Sequence, residues 1–453
     1  MEKAINAKQS IFRSLESSIH IQASQLMSNK VAGSLFSGGG IGDVGIEWGN
    51  TIPVLAASEI IPSRAALIRK NFPQTKVFEG DIRKTKWDYI NFFHTKLGAN
   101  PPWLITLSPP CQGMSSNGAG RISSQIKLGK RSKEDERNRL ILPGIEILEN
   151  LRPEWFILEN VRRMENTVIR NEKNIPENIL KCIERRLGAL GYSIFANILD
   201  FRDYGVPHHR ERLITVGCRI PNVISRFPSA ADIFSEILSP FHPSPTHSKD
   251  GNSSWVSLND TIRHLPRLDA KTRTDDDKDE FHCIPKWNND QYFWMRHTPE
   301  GKSAFDNMDC VKCRKKAKDA LAVFCKCGEK LARPQIQEGN KVRLVKGFKS
   351  SYRRMKWDKP GGTLTMNSGV ISSDVKGHPD QNRVLSLREI LILSTLDHPA
   401  WPQKYSFEGI EYGRKLSNKS FSSKLVREVI GESIPPLAMK KMVEHLLSLE
   451  AML

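Results

Sequence analysis

One cysteine is set apart by its neighbours. Pro109-Pro110-Cys111-Gln112 follows the apolar run Leu104 to Leu107, which places Cys111 at the carboxyl end of an expected strand. Isolated cysteines are usually inert core residues, but a rigid turn of two prolines and a glutamine is a poor place to bury one. The thiolate is the reactive form, and lowering a thiol from about 8.5 takes a cationic or dipolar neighbour. The chemistry expected here is nucleophilic attack by Cys111. Other charged groups close later strands. Glu159, in Glu159-Asn160-Val161, follows Trp155 to Leu158, and His208-His209-Arg210-Glu211-Arg212 precedes Leu213 to Val216. Alternation along an extended segment puts Arg210 and Arg212 on one face and Glu211 on the other. Taken singly, the glutamate reads equally well as a helix cap and the arginines as a solvated edge.

Upstream is a place for a nucleotide-like ligand. Phe36-Ser37-Gly38-Gly39-Gly40-Ile41-Gly42 comes directly after Val31 to Leu35. Glycines behind a buried strand let the backbone approach such a ligand and open a helix. Glu59 ends the next strand, where a carboxylate can hold ribose hydroxyls, and Asp81, in Glu79-Gly80-Asp81-Ile82, stands where an adenine would lie. Glycine turn, acid and acid, each at a strand end, describe an adenosine-bearing cofactor site. The layout does not separate NAD from S-adenosylmethionine.

Elements that could position these groups alternate from Val31 to about Gly217. Strands are expected at Val31 to Phe36, Ile52 to Ala57, Trp103 to Leu107, Trp155 to Leu158, Ile194 to Leu199 and Leu213 to Val216, with helical patterns between them. This alternation predicts a doubly wound α/β sheet with ligands at the carboxyl ends of its strands. After about Pro221 the chain becomes rich in Pro, Ser, His and Asp. It then runs through a cysteine cluster and a basic, β-looking stretch at Thr363 to Met366, and turns helical again from Ser386. A last helix, Leu437 to Leu449, starts behind Pro435-Pro436, a good N-terminal signal. Three units are expected: 1–240 carrying the cofactor site, 241–385 as a second, smaller domain, and 386–453 returning to the first.

The 453 residues exceed one ordinary domain of roughly 100–200. No run approaches the ~20 apolar residues of a membrane helix, and the polar N-terminal stretch lacks a secretory pattern; a cytoplasmic protein is expected. A net charge of +18, from 68 Lys+Arg against 50 Asp+Glu, favours an anionic partner. Part of the surplus clusters from Lys127 to Arg139 and from Arg314 to Lys318.

In this order and spacing the motifs resemble the C5-cytosine DNA methyltransferases, the bacterial modification enzymes in particular. The likeness covers residues 31 to about 217 and about 340 to 450. Arg137-Asn138 with the helix behind it is similar to the segment following the family's catalytic loop. Arg383 to Glu389 and Gly431-Glu432-Ser433-Ile434-Pro435-Pro436 match its last two motifs. The resemblance implies S-adenosylmethionine as cofactor and double-stranded DNA as substrate, with the target cytosine flipped out of the helix. It implies that Phe36 stacks on the cofactor adenine, that Gly38 and Gly40 shape the loop, that Glu59 holds the ribose and Asp81 the adenine side, and that Pro109 meets the amino-acid portion. Cys111 becomes the nucleophile, Glu159 the partner of the cytosine N3 and amine, and Arg210 and Arg212 the organisers of its carbonyl side. The basic segment Lys127 to Arg139 would close over the DNA. Three positions depart from the pattern: Ser34 where an acid is usual, His208 for a glutamine, and Glu432 for an asparagine, which adds a carboxylate beside the cofactor.

Four of the eight cysteines, Cys310, Cys313, Cys325 and Cys327, form two close pairs, one with a two-residue gap and one with a single-residue gap. In a chain without an export signal such pairs point to a metal, and a structural Zn2+ bracing a target-recognition domain is expected. The resemblance suits a monomer acting in a restriction-modification system and leaves room for a cognate restriction endonuclease. Two readings compete: a tRNA cytosine-5 methyltransferase of the same architecture, and a catalytically silent DNA-binding protein.

Overall fold

A computed structural model describes residues 30–110, 136–230, 232–248, 253–346, 350–410, 412 and 420–452. Its centre is a seven-stranded sheet built from β1 (Ala32–Leu35), β2 (Val54–Glu59), β3 (Lys76–Glu79), β4 (Leu104–Leu107), β5 (Trp155–Asn160), β8 (Ser193–Asp200) and β9 (Glu211–Cys218). A small hairpin of β6 (Val168–Arg170) and β7 (Pro176–Asn178) interrupts the count. The spatial order is β3-β2-β1-β4-β5-β9-β8. The first five strands are parallel, and β9 runs antiparallel to both β5 and β8. All four residues of β1 and of β4 are buried, the uninterrupted apolar reading of strands covered on both faces.

Helices cover both sides. On one face α3 (Ile82–Leu97), α4 (Ile141–Leu151) and α5 (Ile179–Gly188) bring Tyr89, Phe93, Ile145, Leu148 and Ile183 against the sheet. On the other, α1 (Ile41–Asn50) and the last helix contribute Ile46, Met439, Val443 and Leu446. The other α-helices among the described residues are α2 (Pro62–Asn71), α6 (Pro221–Arg226), α7 (Leu258–Ile262), α8 (Asn289–Arg296), α9 (Leu387–Leu393), α10 (Ser423–Glu432) and α11 (Pro436–Ala451). Pro62 and Pro436 sit in first turns, where a missing N–H costs nothing. α11 lies so close to α1 that a Cβ on Gly45 would fall 2.3 Å from the Pro436 carbonyl oxygen. Near its far end, Glu450 accepts from the indole N–H groups of Trp103 (2.6 Å) and Trp155 (2.8 Å).

Residues between the sheet and α9 form a core of their own from Leu268, Ile284, Trp287, Trp294, Met295, Tyr352 and Val384. The stretch Thr363 to Met366, expected to be β-like, contains no strand; side chains from elsewhere hold it, Arg210 donating to the Leu364 carbonyl and Lys376 to that of Thr363. A two-stranded ribbon occurs earlier instead, β10 (Gln335–Glu338) with β11 (Lys341–Leu344). The sheet direction has one consequence for chemistry. Because β1 to β5 are parallel, the turns after them gather on one edge, and the antiparallel β9 begins on that same edge.

Candidate active site

The glycine turn is built by backbone that prefers no Cβ. Gly38 and Gly40 have φ of +57° and +73°, and Phe36 shares the left-handed region at φ 57°. Glu59, at the end of β2, fixes the turn from outside. Its Oε2 accepts the Gly38 N–H at 2.8 Å and its Oε1 the Ile61 N–H at 2.8 Å, tying the loop to the start of α2. Burial pushes the Glu59 carboxyl above its ordinary value. Asp81 caps α3, accepting the Arg83 N–H at 3.0 Å; hydrogen bonding from the Arg83 guanidinium holds its carboxyl below the usual range. Pro109 is buried, and its carbonyl accepts from Asn160 Nδ2 at 3.1 Å, so the turn after β4 is pinned to the end of β5.

The C-terminal segment covers this edge. Tyr405 donates its hydroxyl to the Gly39 carbonyl. Val429 of α10 packs so closely that a Cβ on Gly39 would lie 2.6 Å from its Cγ1. Glu432 does not stand as an uncompensated carboxylate, because Arg64 of α2 reaches it at 2.6 Å. Ser34, where the family pattern has an acid, donates to Asp43 Oδ2 at 2.9 Å, so a carboxyl group is supplied there by α1. Burial pushes Asp43 up to about 7.

At the end of β5, Arg212 Nε donates to Glu159 Oε1 at 2.6 Å, with side chains only 13% and 8% exposed. Arg210 goes elsewhere. It is buried just before β9, and its Nη1 donates to the carbonyls of Leu364 (3.2 Å) and Gly431 (3.1 Å). The two arginines, paired in the sequence, therefore hold different things: Arg212 the glutamate, Arg210 two backbone segments. His208 is buried and pushed down to about 3 by desolvation, hence neutral. His209 shares a 2.6 Å hydrogen bond with Asp200, which raises it. Cys111 lies outside the described residues, as does the basic segment up to 135. Beyond it, Arg139 donates to the Arg170 carbonyl at 3.1 Å.

The structure thus brings Phe36, Gly38, Gly40, Glu59, Asp81, Pro109, Glu159 and Arg212 to one edge of the sheet. Four contributors escaped the sequence reading: Arg64, Asp43, Tyr405 and the side chain of Asn160. Only Asn160 carried a local signal, its place beside Glu159. The others depend on contacts formed between distant segments.

The four cysteines converge. Cys310 and Cys327 Sγ are 3.6 Å apart, Cys313 and Cys325 Sγ 3.5 Å, and all four sulfurs lie within 4.8 Å of one another. These separations are far too long for disulfides, which need about 2.05 Å. Each pair sits in a tight turn that ends on a left-handed residue, Arg314 at φ 62° and Gly328 at φ 83°. The single-residue gap of the second pair is absorbed by Gly328, whose N–H donates to the Cys325 carbonyl at 2.9 Å.

Comparison with known proteins agrees with this geometry. The sequence profile of the family described as C-5 cytosine-specific DNA methylase matches residues 32–448. The Type II methyltransferase M1.HgaI of Avibacterium volantium is 30% identical over 435 residues, covering 91% of this chain and 97% of that protein. The Type II methyltransferase M1.HphI of Haemophilus parahaemolyticus is 23% identical, covering 92% and 86%. Among solved structures, an E. coli prophage-encoded protein described as a DNA modification methyltransferase aligns with a TM-score of 0.55. Its identity is 18%, over 93% of this chain and all of that one, a likeness of fold.

Proposed function

The chain belongs to the C-5 cytosine-specific DNA methylase family, and from that premise we propose how its residues carry the family's reaction, transfer of a methyl group from S-adenosylmethionine to carbon 5 of cytosine in DNA. One observation carries the assignment. The buried Glu159–Arg212 pair stands at the end of β5, and the neighbouring Asn160 holds the backbone that leads into Cys111.

Carbon 5 of cytosine is too weak a nucleophile to take a methyl group unaided. Addition of the Cys111 thiolate to carbon 6 turns the ring into an enamine whose carbon 5 is nucleophilic, one hard step becoming two easier ones. Negative charge builds on the ring as sulfur adds. A proton or hydrogen bond from Glu159 at N3 stabilises it, and the Arg212 guanidinium orients that carboxyl group. Arg210 acts as a positioning residue, holding Leu364 and Gly431 around the site. After transfer, the proton on carbon 5 leaves and the thiolate is eliminated. A base inside the duplex stack cannot be reached this way, so the cytosine is flipped out. S-adenosylmethionine supplies the electrophilic methyl group when bound. Phe36, Gly38, Gly40, Glu59, Asp81 and Pro109 are its proposed contacts, with the Glu59 carboxylate retaining lone pairs for hydroxyl donors beyond its two backbone bonds.

The domain reading follows: 1–240 catalytic, 241–385 target recognition, 386–453 returning to the catalytic sheet. The four cysteines fit a structural Zn2+. A tetrahedral Cys₄ site with Zn–S near 2.3 Å needs sulfurs roughly 3.8 Å apart, close to the 3.5–3.6 Å found. Zinc would brace the recognition domain without entering the chemistry. Metal analysis of the purified protein should find about one zinc per chain, and a Cys313→Ser variant should lose it. The Type II relatives support a place as the modification half of a restriction-modification system; the location proposed is cytoplasmic, the protein a monomer, and a cognate endonuclease its partner. Among the described residues no helix is long and apolar enough to cross a membrane.

The decisive experiment offers the enzyme a duplex carrying 5-fluorocytosine. Wild type should form a covalent adduct, since fluorine cannot leave as a proton does, and Cys111→Ser should form none. Absence of adduct across a random-sequence duplex pool would favour a silent DNA-binding protein. Methylation of tRNA alone would reassign the substrate.

A further inference from the structure

Residues 309–346 form a device whose charge and shape suit duplex DNA. From Cys310 to Leu331 there are seven Lys or Arg against two acids, Asp319 and Glu329. Lys315, Lys316, Lys318, Lys326 and Lys330 are all exposed. A surface of this kind neutralises phosphates and releases their counterions.

From that base rises the ribbon β10–β11. Its root is held firmly. Arg333, 4% exposed, donates to the carbonyls of Phe305 (3.0 Å), Ala322 (2.7 Å) and Ala320 (2.8 Å). Asn307 Nδ2 donates to the Ala332 carbonyl at 2.6 Å, and the Val345 N–H to that of Pro334 at 2.9 Å. Beyond this root the ribbon is exposed from Ile336 to Lys341. Pairing of Glu338 with Lys341 leaves a two-residue turn, Gly339-Asn340, with Gly339 at φ 57°. A hairpin carrying so little apolar surface does not brace a core, yet it is anchored rigidly at its base. Two-stranded ribbons fit the major groove, where Asn and Gln amides pair with adenine edges and apolar groups meet thymine methyls. Near its tip this ribbon offers Gln337, Asn340 and Ile336. Among the described residues the Gln337 amide makes a single 3.2 Å bond, to the Gly339 carbonyl, readily exchanged.

We infer that β10–β11 is the base-reading element of the recognition domain, with Gln337 and Asn340 contacting A·T pairs in the major groove while the lysines of the four-cysteine module grip the flanking phosphates. This rests on the DNA-methyltransferase reading above and names the part of the chain that sets its sequence preference.

The test starts from the sequence that the wild-type enzyme methylates, found by bisulfite sequencing of a random duplex pool. A second pool then holds every single-base change of that sequence. Gln337→Ala and Asn340→Ala should each relax the preference at one or two A·T positions by about ten- to a hundredfold, with KM for S-adenosylmethionine unchanged. The triple change Lys315→Gln, Lys316→Gln, Lys318→Gln should weaken DNA binding equally for all sequences. It should also make the slope of log affinity on log salt shallower, by about 0.9 for each phosphate no longer neutralised. All these side chains are exposed, so melting temperatures should match wild type and any change reports on DNA binding itself. An unchanged base preference in both ribbon variants overturns the reading role, and an unchanged salt slope overturns the phosphate grip. A wild-type enzyme that leaves no 5-methylcytosine in any duplex would sink the methyltransferase reading itself.

Discussion

Arg212→Met isolates the charge of the Glu159–Arg212 pair while keeping much of the side-chain volume. In the native protein the two groups meet at 2.6 Å with little exposure on either side. With charge centres near ~4 Å and an effective dielectric near 20, their attraction is about 4 kcal/mol. Removing one partner of a buried pair typically costs 3–5 kcal/mol, because the other is left uncompensated. Urea unfolding of the variant against wild type reads this directly. Single-turnover methylation should fall about 10²–10³-fold, the usual loss for one electrostatic donor at a reacting centre, and Arg212→Lys should recover part of both. A deficit below about 1 kcal/mol would mean that the pair behaves as a solvent-screened one, and an unaltered turnover would remove Arg212 from the mechanism.

Gly431→Ala should unfold at lower urea, by about 1–3 kcal/mol or more, since its Cβ would stand 2.2 Å from the Met366 nitrogen and 2.3 Å from the Thr365 carbonyl carbon; turnover should fall with it, because Arg210 holds the same two segments. Asp43, raised to about 7 by burial, is protonated when folded and ionised when unfolded across the window from about pH 4 to 7, so its contribution to stability declines as pH rises there. Asp43→Asn should flatten that slope in a pH series of melting curves. Glu432→Asn and Arg64→Met should each raise KM for S-adenosylmethionine. The double variant should show a coupling of about 0.5–1 kcal/mol in a double-mutant cycle, modest because both groups are partly solvated.

The sequence was most readable where chemistry sits next to a strand end. Glycines behind β1, Glu59 behind β2 and Glu159 closing β5 could be located because apolar runs mark the strands and parallel strands collect their ends. Strand limits moved by a residue or two, as at β2, expected from Ile52 and found from Val54. Direction was not readable. The antiparallel β9 brings Arg212 to Glu159, and nothing in Leu213 to Val216 announces which way that strand points. The substituted positions show the same limit. Ser34 and Glu432 depart from the family pattern when judged in place, but Asp43 and Arg64 meet them from other helices. Arg210 and Arg212 look alike in an alternating pattern, yet one grips carbonyls contributed more than 150 residues later. Such partners are chosen by tertiary packing, which local periodicity does not encode.

The seat of α11 against α1 has a consequence for how the protein comes into being. β1 is synthesised early, but the face of the sheet around it stays uncovered until Met439, Val443 and Leu446 arrive. Trp103 and Trp155 likewise wait for Glu450. A nascent chain can settle the core around Trp294 and Tyr352 while still on the ribosome. The edge that carries the glycine turn, however, is closed by Tyr405 and Val429, the former reaching Gly39 from 366 residues away. Long-range closure of this kind is slow. The edge that carries the glycine turn is therefore completed only once α10 and α11 have been made and seated on the rest of the molecule.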